Sequence, residues 1–313
     1  MLGAHDEVAC LPEAPFIGML AASLRRSAPR HEALAQLHKD IRADFKFAFW
    51  NIDAADLQAC AARPADSYAQ VVEGYVACFA RKNGRSSATH WVDHSPTNMM
   101  YSARLFAEFT DARFVHVVRD GRAVCASWVP LDWGPNTIIS GARTWVANVA
   151  YGLAAEAALQ AAKIRRVSYE ALVADPDRVL KELCAWLDLP YQPSMRTGNG
   201  FQVPAYTRNQ HGLIGQPASP ARIDRWRTSL TAREVQIFEA ITGDLLVNLG
   251  YEMVTPGRIP EVGNMEKIRM ELVDKARQLT HLATRPIRLR RFLNSIERDD
   301  TGRKCSTQEA TRS

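Results

Sequence analysis

The sequence predicts an α/β fold in which a doubly wound parallel sheet is flanked by helices. Two observations carry this prediction. The β-branched run Phe114–Val118 is bounded by charged residues, a pattern typical of a buried strand in a parallel sheet. Short strand-like segments also alternate with longer helical segments along the chain, as they do in doubly wound sheets. Such sheets bind ligands at the carboxyl ends of their strands, so residues at those positions are the first candidates for a functional site.

The first half of the chain is predicted to contain several helices and a short strand. Residues 1–22 are typical of helix, a turn at Leu11–Glu13, and a further helix. The segment Asp66–Arg81 has apolar residues at helical spacing, and Asp66 is a suitable N-cap for it. His90–Asp93 is strand-like, and a helix is predicted over Asn98–Phe109.

The second half continues the alternation. Ile138–Lys163 is an alanine-rich helical segment, and Arg166–Tyr169 is a short strand-like one. Asp175 and Pro176 predict a helix start, because Asp caps a helix and Pro suits its first position. Residues 192–219 are rich in Gly, Pro and Asn and indicate a loop. A basic helix is predicted over Met265–Thr284, followed by a polar tail.

The charge distribution excludes one large class of partners. The chain has 39 basic and 34 acidic residues, a net charge of +5, and residues 264–313 hold 12 of the basic and 7 of the acidic ones. The body is therefore neutral, which argues against an extended nucleic-acid surface and leaves room for a focused anion site. No apolar run is long enough to predict a membrane-spanning helix.

The six cysteines do not form a metal-binding or disulfide pattern. None is part of a Cys-x-x-Cys pair, and several lie in apolar helical stretches. We therefore expect reduced, buried thiols in a cytoplasmic protein, and no metal site.

The clearest candidate for an anion site follows the strand Phe114–Val118. Arg119 stands at the end of this strand, Gly121 follows, and a helix begins, so free backbone N–H groups and a guanidinium come together. Ser127 lies eight residues after Arg119 and offers a hydroxyl. Tyr169 ends the next strand and offers a second one. A surface salt bridge for Arg119 and ordinary packing for Tyr169 are the alternatives that the residues leave open.

Taken together, these residues resemble the sulfotransferases that use 3′-phosphoadenylyl sulfate (PAPS) as donor. In that family a strand-end Arg, with a Ser eight residues later, grips the 3′-phosphate of the donor, which matches Arg119 and Ser127. The family's next strand ends in a Tyr-Glu pair that leads to an Asp-Pro helix, as Tyr169–Glu170 and Asp175–Pro176 do here. The Arg-Asp-Gly-Arg form is closest to the protein-tyrosine and bacterial branches.

The resemblance covers roughly Met1–Glu252 and implies a P-loop NTPase-like sulfotransferase fold. The segment Ser219–Trp226 is similar to the loop over the donor nucleotide, which implies that Arg225 helps to hold the phosphate. The family's first strand and the phosphosulfate loop that follows it have no counterpart here. We therefore expect a chain that begins inside the helix after that loop, either because the start site is set too late or because the product is truncated.

Two residues are candidates for the base that activates the sulfate acceptor. His94 lies two residues before Pro96, where cytosolic members of the family have a catalytic His, and an imidazole can act as base at neutral pH. Glu13 matches the Glu that acts as the catalytic base in the protein-tyrosine branch, although Ala14 departs from the residues that usually follow that Glu. A helix-capping role for His94 and a solvated turn for Glu13 are the alternatives. Asp132–Asn136 is a candidate lining of the acceptor pocket, and a rigid structural turn is the alternative for this segment.

The resemblance implies a sulfotransferase that moves a sulfuryl group from PAPS to a hydroxyl or amine acceptor, which is either a small molecule or a macromolecule. Residues 1–252 are expected to form the sulfotransferase-like domain, and residues 253–313 a basic helix and polar tail. Two other functions are considered. One is a non-catalytic nucleotide-binding remnant that keeps the 3′-phosphate site. The other is a P-loop kinase-like phosphotransferase, for which no Walker A motif is found.

Overall fold

The computed structural model describes residues 1–23, 30–131, 134–197 and 219–284 of the 313-residue chain. These residues form two compact units. The first unit contains residues 1–23, 30–120, 145–197 and 219–226, and the second contains residues 121–131, 134–144 and 227–284. The proposed tail after Thr284 and the residues Asp132 and Trp133 lie outside the described residues.

All four described strands are short and parallel to their partners. They are β1 (Val8–Cys10), β2 (His90–Val92), β3 (Phe114–Val118) and β4 (Ile164–Ser168). β1 pairs with β2, and β3 pairs with β4. The α/β class with parallel strands is thus confirmed, and in the described residues the strands form two separate two-stranded sheets.

Helices make up most of the described chain. In the first part they are α1 (Pro15–Ser23), α2 (Arg30–Ala43), α3 (Ala54–Ala62), α4 (Tyr68–Lys82), α5 (Ser102–Glu108), α6 (Gly121–Trp128) and α7 (Ile138–Ala158). The later ones are α8 (Tyr169–Ala174), α9 (Pro176–Leu187), α10 (Trp226–Ser229), α11 (Ala232–Thr242), α12 (Asp244–Asn248) and α13 over residues 264–284. Among the described helices, none combines the length and the apolar character needed to cross a membrane.

Local sequence explains several helix starts. Asp175 caps α9 through its side chain, which accepts the Arg178 N–H, and Pro176 is the first helical residue, as predicted. Ser67, rather than Asp66, caps α4 by accepting the Gln70 N–H, because the helix begins at Tyr68. Thr231 and Glu234 form a reciprocal capping box at the start of α11.

Two other expectations were wrong. Residues 8–10 form the strand β1 instead of continuing a helix, because pairing with β2 outweighs the weak local preference of so short a segment. Cys60 and Cys78 form a disulfide between α3 and α4, so the expectation of six reduced thiols fails for this pair. The two cysteines are 18 residues apart along the chain, and this separation does not predict the bond.

An aromatic core holds the helices of the first unit together. Trp50, which is 1% exposed, packs against Phe16, Phe47 and Phe79 with ring centroids 5.5–5.9 Å apart. α1 contributes Phe16 to this cluster and begins two residues after Glu13. The core thereby fixes the helix that begins beside a candidate catalytic residue.

The second unit contains a buried ion pair and a docked terminal helix. The Arg122 guanidinium of α6 lies 2.7 Å from the Glu239 carboxylate of α11, and their side chains are 2% and 0% exposed. On α13, the Asp274 carboxylate accepts the backbone N–H of Asn136 at 2.7 Å and the hydroxyl of Ser140 at 3.0 Å. These hydrogen bonds place α13 against the start of α7 within this unit.

Candidate active site

Parallel pairing of β3 with β4 brings Arg119 and Tyr169 together. Val118 and Ser168 are register partners at the ends of the two strands, so the residues that follow them leave the sheet at the same edge. The Arg119 guanidinium carbon lies 4.2 Å from the centroid of the Tyr169 ring, a cation–π stack. The indole N–H of buried Trp145 donates to the Arg119 carbonyl at 3.1 Å and fixes the backbone there.

Arg119 has unused hydrogen-bonding capacity inside this arrangement. One terminal nitrogen donates to the Arg222 carbonyl at 3.4 Å. Its Nε is buried and has no hydrogen-bond partner among the described residues. A buried donor without an acceptor is costly, and an anionic ligand would supply the acceptor.

Glu170 ties the two strand ends to each other. One carboxylate oxygen accepts the Asp120 backbone N–H at 2.9 Å, and the other accepts the Ser168 hydroxyl at 3.0 Å. The two residues of the Tyr-Glu pair therefore make different contacts: the Tyr169 ring stacks on the Arg119 guanidinium, and the Glu170 carboxylate stabilises the turn after β3. Trp145 and Asp120 were not identified from sequence, since their contacts join segments distant in the chain.

The second strand pair brings the segments of Glu13 and His94 to one edge. Cys10 and Val92 are the last register partners of β1 and β2, and the Leu11 N–H donates to the Val92 carbonyl at 3.0 Å. Both candidate bases follow these strand ends within three residues. His94 is exposed at this edge.

A compact network joins the two loops at this edge. The Ala14 N–H donates to the Ser95 hydroxyl at 2.7 Å and lies 3.3 Å from the Asp93 carboxylate. Asp93 in turn accepts the Ser95 N–H at 3.0 Å and the Asn98 side-chain amide at 3.0 Å. The residues on either side of His94 are therefore fixed, and so is the backbone next to Glu13.

The Glu13 carboxylate is partly exposed and forms an ion pair. Its Oε2 lies 2.6 Å from the Lys46 ammonium, and the two side chains are 40% and 22% exposed. Lys46 lies in the segment between α2 and α3, 33 residues from Glu13, so no motif in the sequence pointed to it. The pair adds a cation to the edge that carries both candidate bases.

Cys10, the last residue of β1, is not equipped to act as a nucleophile. Burial is the main cause that raises the pKa of its thiol to about 11. The N-terminal ammonium acts in the opposite direction and lowers this pKa, and the Asp93 carboxylate raises it. At neutral pH the thiol is therefore protonated, and the thiolate that nucleophilic chemistry needs is scarce.

The two other predicted donor-binding residues are Ser127 and Arg225. Ser127 belongs to the second unit, where its exposed hydroxyl donates to the Val124 carbonyl one turn earlier in α6. Arg225 is an exposed residue of the first unit, next to the buried Trp226. It follows Arg222, whose carbonyl accepts from Arg119, by three residues. Among the described residues, no group of three or more His, Cys, Asp or Glu could hold a metal ion.

The fold and the site define an α/β protein with a basic, aromatic-backed position at the carboxyl ends of its strands. A family model described as "Sulfotransferase family" matches residues 1–193. This match spans more than half of the chain, and the chain belongs to the sulfotransferase family. No curated protein sequence matches it.

Solved sulfotransferase structures are similar to this chain to different degrees. The sulfotransferase domain from the curacin biosynthetic pathway aligns with a TM-score of 0.51 at 18% identity, covering 80% of this chain and 92% of that one. The sulfotransferase domain of the Synechococcus PCC 7002 olefin synthase gives 0.46 at 18%, covering 87% and 86%. A sulfotransferase from Mycobacterium avium gives 0.41 at 14%, covering 82% and 74%. The first of these likenesses supports the fold.

Proposed function

We propose that this chain transfers a sulfuryl group from PAPS to a hydroxyl or amine acceptor. The observation that carries the proposal is Arg119, which stands at the carboxyl end of β3 with its guanidinium stacked on Tyr169 and its buried Nε unpaired among the described residues. Membership of the sulfotransferase family supports the reaction class. PAPS supplies the sulfuryl group and an anionic 3′-phosphate for the protein to hold.

The chemistry of Arg119 suits that 3′-phosphate. A guanidinium presents several N–H groups in a planar fork, which matches phosphate oxygens better than an ammonium does. Tyr169 supports the plane of the fork from one side, and Trp145 holds the backbone carbonyl of the same residue. We assign Arg119 and Tyr169 to the donor site on this geometry, and we retain Ser127 and Arg225 as proposed contributors from the family resemblance.

Replacing Arg119 with Ala is expected to weaken binding of adenosine 3′,5′-bisphosphate by about 10- to 100-fold, equivalent to about 1.5–3 kcal/mol for charge-assisted hydrogen bonds. Isothermal titration calorimetry on the full chain measures the loss. Arg119→Lys should recover only part of the affinity, because it restores the charge without the fork.

The matched control is Arg104→Ala, which removes an exposed arginine of α5 in the same unit and should leave the affinity unchanged. Equal affinity in wild type and Arg119→Ala would contradict the assigned donor site. Binding of the bisphosphate without any turnover of PAPS would favour the non-catalytic remnant instead. A requirement for ATP and Mg²⁺ would favour the kinase-like alternative, which the family match does not favour.

We take His94 as the base and Glu13 as its neighbour at the same edge. The Glu13 carboxylate already has a cation 2.6 Å away, so part of its accepting capacity is committed to Lys46. The family resemblance implies the base role for a His at the position of His94, and an imidazole of ordinary pKa can accept a proton at neutral pH.

His94→Asn is therefore expected to lower kcat by about 10²–10⁴-fold, the usual contribution of general-base catalysis. Glu13→Gln should lower it less. The measurement is release of adenosine 3′,5′-bisphosphate from PAPS in the presence of a panel of hydroxyl and amine acceptors. A larger loss in Glu13→Gln than in His94→Asn would reverse the assignment.

We also keep the division into residues 1–252, the sulfotransferase-like domain, and residues 253–313, a basic helix and tail, as a proposal. The proposed location is the cytoplasm, and the proposed partner is the sulfate acceptor alone, without nucleic acid. The acceptor loop suggested by Asp132–Asn136 begins with two residues that lie outside the described ones.

A further inference from the structure

The second unit contains a cavity that is lined by none of the proposed donor-binding or base residues. Its volume is about 380 Å³, at the lower end of the range for small-molecule sites. One wall is the chain just after α6, and the other is a face of α13. All of its lining residues belong to this one unit.

The two walls differ in chemistry. The wall after α6 consists of three consecutive apolar residues, Val129, Pro130 and Leu131. The wall on α13 is polar and consists of Arg277 with its neighbours at positions 280, 281 and 284. These positions recur at helical spacing and so form a single stripe along one side of the helix. The cavity is therefore amphipathic, with an apolar side facing a polar and cationic one.

Arg277 is held in place at this cavity by only part of its guanidinium. Its Nη1 donates to the carbonyls of Val129 and Asn136, both at 3.3 Å. These two hydrogen bonds orient the side chain toward the wall after α6. The other guanidinium nitrogens, Nε and Nη2, have no hydrogen-bond partner among the described residues, so they remain available as donors to an anion.

His281 and the two threonines complete the polar wall. The Nδ1 atom of His281 is buried and has no hydrogen-bond partner among the described residues. The Thr280 and Thr284 hydroxyls donate to carbonyls one turn earlier on α13, at 2.9 and 3.0 Å. Because the His281 Nδ1 is enclosed by protein, the donors that this wall offers to an anion come from the Arg277 guanidinium.

We propose that this cavity binds a small amphipathic carboxylic acid. Its carboxylate would contact Arg277, because a guanidinium fork pairs well with a planar carboxylate. Its apolar part would lie on Val129, Pro130 and Leu131. The proposal rests on residues of the second unit alone and does not depend on the donor site at Arg119.

The test is calorimetric titration of the full chain with octanoate, with octanol and octylammonium as probes of equal chain length. Octanoate is expected to bind saturably, octanol at least tenfold more weakly, and octylammonium not detectably. Arg277→Gln should weaken octanoate at least tenfold. Arg269→Gln, which changes an exposed arginine on the same helix outside the cavity, is the matched control and should bind as wild type does.

Arg277 also holds two carbonyls, so its replacement alone could loosen α13. Leu131→Glu is the second variant: it leaves α13 untouched and places a carboxylate in the apolar wall, so it should abolish octanoate binding while circular dichroism stays unchanged. Failure of octanoate to bind at millimolar concentration would overturn the proposal. So would equal binding of octylammonium, or wild-type affinity in both Arg277→Gln and Leu131→Glu. Binding of adenosine 3′,5′-bisphosphate should be unaffected throughout, which separates this proposal from the donor site.

Discussion

Arg122→Ala is expected to lower the free energy of unfolding by about 3–5 kcal/mol, because it leaves a buried carboxylate without its cation. The Glu239 side chain is fully buried, and Arg122 is its cationic partner at 2.7 Å. Arg122 also donates to the Glu252 carbonyl at 2.9 Å, so the substitution removes a second, partly buried hydrogen bond. Urea denaturation measures the change through the transition midpoint.

The matched control for this substitution is Arg143→Ala. Arg143 pairs with Glu271 at 3.2 Å in the same unit, and both side chains are more than half exposed. Exposed pairs contribute about 0–1 kcal/mol, so this variant should unfold close to wild type. Similar losses for both arginines would show that burial does not decide the strength of the Arg122 pair.

The same pair makes a pH dependence with a definite sign. Burial by itself would raise the pKa of Glu239, but hydrogen bonds from Thr255 and Val254, together with Arg122, outweigh it and lower the pKa below its ordinary value. The native carboxyl then binds its proton less readily than the unfolded one. Its stabilisation is complete above the unfolded pKa of about 4.3 and is lost as the pH falls through the native pKa. Glu239→Gln should therefore flatten the loss of stability below about pH 4.3.

Gly152→Val is expected to lower the free energy of unfolding by about 3 kcal/mol through overpacking. A Cβ at Gly152 in α7 would lie 2.1 Å from two atoms of the His116 ring, far inside van der Waals contact. The ring has little room to move, because the His116 Nδ1 lies 2.6 Å from the Glu156 carboxylate, which also pairs with Arg166. Thermal unfolding followed by circular dichroism measures the effect.

A second helical glycine provides the control with the opposite sign. A Cβ at Gly74 in α4 would meet no atom within 4 Å. Gly74→Ala is expected to stabilise the chain by about 0.5–1 kcal/mol, because alanine favours the helix more than glycine does. A stable Gly152→Val variant would mean that His116 and β3 can shift, and that the close approach of α7 to this strand is not required.

The sequence was most informative where a segment carries its own signal. Phe114–Val118 was predicted as a strand with the bounds that the structure shows, because strands of a parallel sheet covered on both faces are apolar nearly throughout, as this run is. Asp175 and Pro176 likewise predicted the start of α9, because an Asp N-cap followed by Pro at the first helical position is a local signal. Arg119 and Tyr169 were found as strand-end residues, and the register of β3 with β4 brings them into contact.

The features that sequence reasoning missed depend on contacts between distant segments. β1 has only three residues, too few for a periodic pattern, and it is a strand because β2, some 80 residues later, pairs with it. Lys46 contacts Glu13 from the segment between α2 and α3, and Trp145 contacts Arg119 from α7. The number of residues between the members of each pair does not correspond to a sequence motif. These contacts can therefore be identified only once the three-dimensional packing of the segments is known.

The bond between Cys60 and Cys78 links folding to oxidation. Closing a loop of this length removes configurational freedom from the unfolded chain and is worth about 3 kcal/mol on entropic grounds. Free-energy changes around a closed thermodynamic cycle sum to zero. Formation of the disulfide is therefore more favourable in the native chain than in the unfolded chain by the same amount, about a hundredfold in the equilibrium constant. The redox poise of the surroundings therefore sets part of the folding equilibrium, and the folding equilibrium sets the reduction potential of the two thiols.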